Sequence, residues 1–227
     1  MCFSATGSFA ASGVLTGLGV AAIVRNSSRA HRMFAAIPLI FATQQAAEGT
    51  VWVTMDGDPS AVLHRLAMNL FLGCALVIWP TWLPVSLRAA ETNPTRRRVL
   101  TALSGFGLLF SVCAAVVLMR GHPLAQIAGH SIRYEYAGSG IASQHFFYLV
   151  AYVIPVVAPL FVSTTDLSRT IGTLLIVSLG ITAFTERDTL TSVWCFFAAM
   201  LSGLIWVAVE RARSRASTPQ MGRSGAH

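Results

Sequence analysis

The feature that most constrains this chain is the spacing of its charges. Stretches almost free of Asp, Glu and Arg recur from one end to the other, running from about Phe3 to Val24, Met33 to Met55, Leu66 to Leu87, Val99 to Met119, Ile141 to Val162, Thr170 to Thr185 and Thr189 to Val209. A helix that crosses a bilayer needs about 20 apolar residues, because lipid offers no partner to its backbone amides and each must pair within the segment. The windows therefore predict an all-α polytopic membrane helix bundle with seven transmembrane helices. Six is the alternative count, since the window at Thr170–Thr185 is the shortest.

Composition excludes a soluble globular domain. The 227 residues are 54% hydrophobic and 11% charged, against roughly 25% charged in soluble proteins. The net charge of +7 comes entirely from arginine as the basic residue, with no lysine. These arginines lie between the apolar windows and in the tail, a placement that fits membrane topology and not a phosphate-binding groove, so no nucleic-acid partner is expected.

The arginines also orient the spans. Arg25, Arg29, Arg32, Arg88, Arg96, Arg97, Arg98, Arg169, Arg211, Arg213, Arg215 and Arg223 fall in one set of loops and the tail, and only Arg65, Arg120, Arg133 and Arg187 in the other. The positive-inside rule puts the richer set in the cytoplasm, with the N-terminus outside and the C-terminus inside. The first window has no positive charge before it and no small-residue cleavage site, so it is expected to be a retained helix and not a signal peptide. Residues 1–210 form one transmembrane domain on this view, and the polar stretch 211–227 a disordered cytoplasmic tail. The RRR run at 96–98 is expected to stop transfer and fix orientation, with anionic-lipid binding the less favoured alternative. Gly13 and Gly17 form a G-x-x-x-G, a pattern that marks close helix packing.

Orientation gives each polar residue a depth. Gln44, Gln45, Glu48 and Trp52 lie in the outer half of the second span, with 44, 48 and 52 on one face. Glu48 is the one acidic residue deep within a window, and an intramembrane carboxylate is costly enough to suggest function by default. The competing expectation is a protonated structural Glu bonded to a neighbouring helix. His145, Tyr148 and Tyr152 form a continuous face at the outer end of the fifth span, and Ser192 and Cys195 share one at the start of the seventh. The connection from Arg120 to Gly140 is expected to be a long outer loop carrying His122, His130, Tyr134, Glu135 and Tyr136.

Cys2, Cys74, Cys113 and Cys195 make no C-x-x-C pair and suggest no disulfide framework. Removal of Met1 would leave Cys2 with a free amine and thiolate, able to chelate a soft metal or act as a nucleophile. The candidate catalytic residues are thus Glu48, His145 and Cys2, and the candidate binding residues Gln44, Gln45, Trp52, Tyr148 and Ser192. Cys2, Glu48 and His130 are candidate ligands for a transition metal, although no single helix carries a metal-ligand spacing. The prolines of WPTWLP, with Pro155 and Pro159, place kinks toward the inner side, where nothing suggests catalysis.

The opening MCFSATGSF, the segment AAIPLIFATQQAAEGTVW, WPTWLP and SVWCFFAA together resemble an uncharacterised bacterial family of small multi-span membrane proteins. Its members open with Met-Cys-Phe-Ser-Ala and carry a Gln-Gln…Glu-Gly segment in the second span. The resemblance implies a bacterial inner (plasma) membrane location and no particular reaction. Three classes of function stay open: an enzyme with an outward-facing ligand or metal site, a small-molecule sensor or binder, and a proton-coupled transporter using Glu48. The lipid bilayer, a small-molecule or lipid ligand and a second copy in a homo-oligomer are the expected partners.

Overall fold

A computed structural model describes residues 4–26, 28–58, 61–136, 146–185 and 189–217. Over its described residues, each of the seven charge-poor windows is almost wholly helical. The helices are α1 (Ala5–Arg25), α3 (Ile37–Thr54) preceded by the short α2 (Arg32–Ala35), α4 (Val62–Leu72) running through a π-helical turn at Gly73–Ile78 into α5 (Trp79–Ala90), α6 (Pro94–Arg120), α7 (Phe146–Val162), α8 (Ser168–Thr185) and α9 (Leu190–Ser217). Four of the resulting helices, Ala5–Arg25, Val62–Ala90, Pro94–Arg120 and Leu190–Arg211, are long and apolar enough to cross a membrane. The helix of α9 continues to Ser217, past the expected end of the membrane domain.

Local chemistry explains several boundaries. Ser4 caps α1 by accepting from the Gly7 amide, and Asn93 caps α6 by accepting from Thr95 and Arg96, with Pro94 at the first helical position. The π turn sits directly before Pro80. A proline has no N–H, and its ring clashes with the carbonyl four residues back, so the helix widens there and the Trp79 amide reaches to Cys74 O.

Polarity is inverted relative to a soluble protein. Leu109, Met119 and Phe184 are 63%, 76% and 87% exposed, whereas Gln44, Gln45, Glu48, His64 and Ser192 are buried. Large apolar side chains on the outside and polar ones within suit a hydrocarbon surround.

The helices approach most closely at particular glycines. A Cβ at Gly107 would stand 1.8 Å from the Pro80 carbonyl oxygen, and one at Gly19 or Gly49 would strike Leu39 or Phe9. The G-x-x-x-G of Gly13 and Gly17 behaves otherwise. Both are exposed with nothing within 4 Å of a Cβ, so the expected packing motif faces away from the bundle and Gly19 and Gly49 seat α1 on α3.

Contacts sort the ends of the bundle. At one end Arg25 pairs with Glu210 at 2.8 Å, Arg96 donates to Val162 O, and the Glu91 carboxylate accepts from Thr164. At the other, the segment expected to be an irregular loop holds an antiparallel hairpin, β1 (Pro123–Ala128) with β2 (Ser131–Tyr136), turned by Gly129 at φ +61 and His130. Ile132 is fully buried and Tyr134 stacks on Phe71 with ring centroids 4.8 Å apart, so β2 packs down on the bundle.

Candidate functional site

Glu48 is the twelfth residue of α3, about 9 Å below its last residue at the helical rise of 1.5 Å. It is 1% exposed. One carboxylate oxygen accepts from the Ser192 hydroxyl, and the other accepts a long bond of 3.4 Å from Gln45 Nε2, one turn earlier on α3. Ser192 is the third residue of α9, so the carboxylate meets that helix at its first turn, where the unpaired amides carry partial positive charge. No ion pair to Glu48 is present among the described residues.

The neighbouring Gln44 faces the middle of the bundle. Its carbonyl accepts from Trp79 Nε1 at 2.7 Å, and Trp79 stacks on Phe41 with centroids 4.0 Å apart. This Trp79 bond assigns the Gln44 amide: its oxygen is taken and its nitrogen is left to donate. Gln44 Nε2 and Gln45 Oε1, one a donor and one an acceptor, are both buried without an oxygen or nitrogen partner, and the weakly accepting sulfur of Cys195 stands beside Gln44 Nε2. A buried polar group without a partner costs about 1–3 kcal/mol, and here two such atoms lie on adjacent residues.

A cavity of about 50 Å³, lined by Phe41, Trp79, Tyr152, Trp194, Cys195 and further, mostly apolar, side chains of α2, α3, α5 and α7–α9, adjoins this cluster through Trp79 and Cys195; Gln44, Gln45 and Glu48 themselves do not line it. A single water needs roughly 10–15 Å³ by this measure, so the space admits a small group and not a bulky one. Cys195 joins the two regions, since it lines the cavity and has Gln44, Glu48 and Cys74 as polar neighbours. The far wall is held by Tyr152, whose hydroxyl donates to Ala75 O at 2.8 Å within the π turn, and by Trp194, which donates to Leu175 O.

The structure thus brings together Gln44, Gln45, Glu48 and Ser192 of the expected set. Trp52 is half-buried against the core, above them on the same helix. Tyr148 leans on Phe110 of α6 at 5.1 Å, part of an aromatic row that continues through Tyr152 to Trp194. His130 stands exposed at the hairpin turn while Glu48 is enclosed. Among the described residues no group of three or more His, Cys, Asp and Glu side chains is placed to hold a metal ion. Cys2 and His145 lie outside the described residues. His64 bonds Thr54 Oγ1 at 2.8 Å through Nδ1 and ties the end of α3 to the start of α4.

Trp79 and Cys195 join this site, yet neither is among the expected binding residues. Cys195 carried a signal, sharing a face with Ser192. WPTWLP is assigned by sequence to an inner half without chemistry, but Trp79, directly after the π turn, donates to Gln44.

Compared with known proteins, the chain matches over residues 1–220 the model described as "Family of unknown function (DUF6629)". No curated protein and no solved structure matches it.

Proposed function

The chain belongs to this DUF6629 family of unknown function, and we propose that it is a seven-span membrane protein that binds a small molecule inside the bundle, at Gln44, Gln45 and Glu48. The observation that carries this reading is the pair of fully buried glutamines, each with one amide atom lacking an oxygen or nitrogen partner, beside an enclosed carboxylate and an aromatic-lined cavity. The chemistry favours a compact, largely apolar ligand bearing a hydrogen-bonding group. Apolar bulk suits Phe41, Trp79 and Tyr152, and an acceptor on the ligand suits Gln44 Nε2.

Seven crossings are supported by helix length. The helices α3, α7 and α8 have 18, 17 and 18 residues, within the range of roughly 17–25 that spans a bilayer. The arginine distribution favours an extracytoplasmic N-terminus, and on that orientation the glutamine–glutamate site falls in the outer half.

Melting of the purified protein in detergent, screened against small apolar compounds that carry one hydrogen-bonding group, tests the binding. A ligand at a hundred times its Kd stabilises by about 2.7 kcal/mol. The expected hit raises the melting temperature of the native chain and not of Gln44→Leu or Glu48→Gln. A screen in which every stabilising compound acts equally on all three chains sinks the reading.

Proton-coupled transport is the second reading, favoured by the π turn and Pro80 beside Trp79, where a helix can flex against the site. It requires flux in proteoliposomes that follows a pH gradient and disappears in Glu48→Gln.

A further inference from the structure

A second recess, distinct from the Glu48 site, opens on the outer surface between the α4–α5 helix and α6. It holds about 370 Å³ between a wall of α5 that includes Thr81, Trp82 and Val85 and a wall of α6 that includes Leu108, Ser111 and Ala115. The polar atoms within it are already engaged: Thr81 and Ser111 hydroxyls bond each other, Ser111 donates to Val77 O, and Trp82 Nε1 donates to Met33 O. Its walls therefore present hydrocarbon. From Val77 to Val85 it runs about 12 Å along the helix, close to the roughly 15 Å that one leaflet contributes to a 30 Å core.

Helical periodicity puts positive charge at the mouth of this groove. On α6, residues 97, 101, 104, 108, 111 and 115 alternate steps of four and three and form one stripe, so Arg97 ends the wall made by Leu108, Ser111 and Ala115. On the facing helix, 78, 81, 85 and 88 form the matching stripe, ending on Arg88. Arg88 is fixed across the groove by its Nε bond to Thr101 Oγ1 at 2.8 Å, and its terminal nitrogens make no hydrogen bond among the described residues. Arg32 adjoins Met33. Glu91, the nearest acid in sequence, is committed to Asn93 and Thr164. The RRR run is therefore three different residues. Arg96 supports the end of α7 through Val162 O, Arg97 continues the groove-lining stripe about 16 Å beyond Leu108, and Arg98 lies a third of a turn away.

We infer that this groove is a binding site for an anionic phospholipid, its acyl chain between α5 and α6 and its phosphate among Arg32, Arg88 and Arg97. Groove length, apolar walls and three arginines that sequence spacing puts toward one end match one such molecule, and a zwitterionic lipid would leave the charge unanswered.

The test is lipid retention by the full chain, read by native mass spectrometry from micelles containing equal amounts of phosphatidylglycerol and phosphatidylcholine with the same acyl chains. The expected result is preferential retention of one phosphatidylglycerol, weakened about fivefold per arginine in Arg32→Gln and Arg97→Gln, at about 1 kcal/mol for each charge. The charge-matched Arg29→Gln/Arg98→Gln chain retains it as the native chain does, and Ala115→Phe, which fills the groove without touching charge, weakens it. Equal loss in the charge-matched control, or retention unaffected by Ala115→Phe, shows surface electrostatics alone and overturns the site. So does equal retention of phosphatidylcholine, or a dimer that excludes lipid from the groove.

Discussion

At Glu48 a carboxylate sits among apolar helices because two neutral donors, Ser192 and Gln45, take the place of water. Removing the Ser192 hydroxyl leaves one carboxylate oxygen without its partner. Ser192→Ala is therefore expected to lower stability in detergent by about 1–2 kcal/mol, in the range of interhelical hydrogen bonds within membranes, while Ser192→Thr keeps most of it. Thermal melts of the two variants decide this, and equal losses would mean that shape and not the bond matters there. Gly107 is a steric case. Any Cβ falls 1.8 Å from the Pro80 carbonyl oxygen, and the obstacle is backbone that cannot rotate away. Gly107→Ala should cost about 2–3 kcal/mol or prevent assembly of the folded bundle, as overpacking does, whereas Gly105→Ala, with open space around it, should be silent. Size-exclusion profiles and melts of the pair report the difference.

Among the elements, the connections at the arginine-rich end are held by one acid. Burial of Glu91 works against its ionisation. The amides of Asn93, Thr164 and Thr92 and the Thr164 hydroxyl outweigh that, and hold its carboxyl below the usual carboxylate value. A carboxyl depressed by folding stabilises above its unfolded value, and the benefit is lost as pH falls through the folded one. Stability should thus be level above about pH 5, decline as the pH drops past the ordinary 4.5, and lose this part of its acid sensitivity in Glu91→Gln. Melting temperature against pH for both chains measures it. The hairpin at the opposite end is secured from its β2 side by Ile132 and by Tyr134 stacked on Phe71. Tyr134→Ala is expected to expose residues 123–136 to protease with little change in the helical melt, because a two-stranded hairpin is marginal without a surface to pack on. Limited proteolysis separates local release from global unfolding.

For the molecule as a whole, the proposed orientation is checked from outside the cell. On a background in which the native cysteines are replaced, Gln126→Cys on the hairpin is expected to react with a membrane-impermeant maleimide in intact cells, and Arg98→Cys only after lysis. The reverse pattern would invert the topology and move the glutamine–glutamate site to the inner leaflet. Much of this architecture was legible in the chain. Charge-poor windows mark the long helices, since an apolar segment has few other ways to pair its backbone, and the isolated carboxylate at Glu48, with Gln44 and Gln45 beside it, announces itself by its cost in an apolar surround. Other features depend on neighbours that periodicity does not see. Pro80 implies a kink, but not that the helix would widen before it or that Trp79 would donate to Gln44. Gly107 reads like Gly105 until Pro80 stands against it, and Arg96, Arg97 and Arg98 read alike until α7 takes one of them. Sequence by itself determined which segments are helical and which residues are expensive to bury, because both follow from transfer out of water one segment at a time. Only the tertiary structure decided which polar groups meet and which are left without partners, because that depends on helix rotation and close approach between segments far apart in the chain.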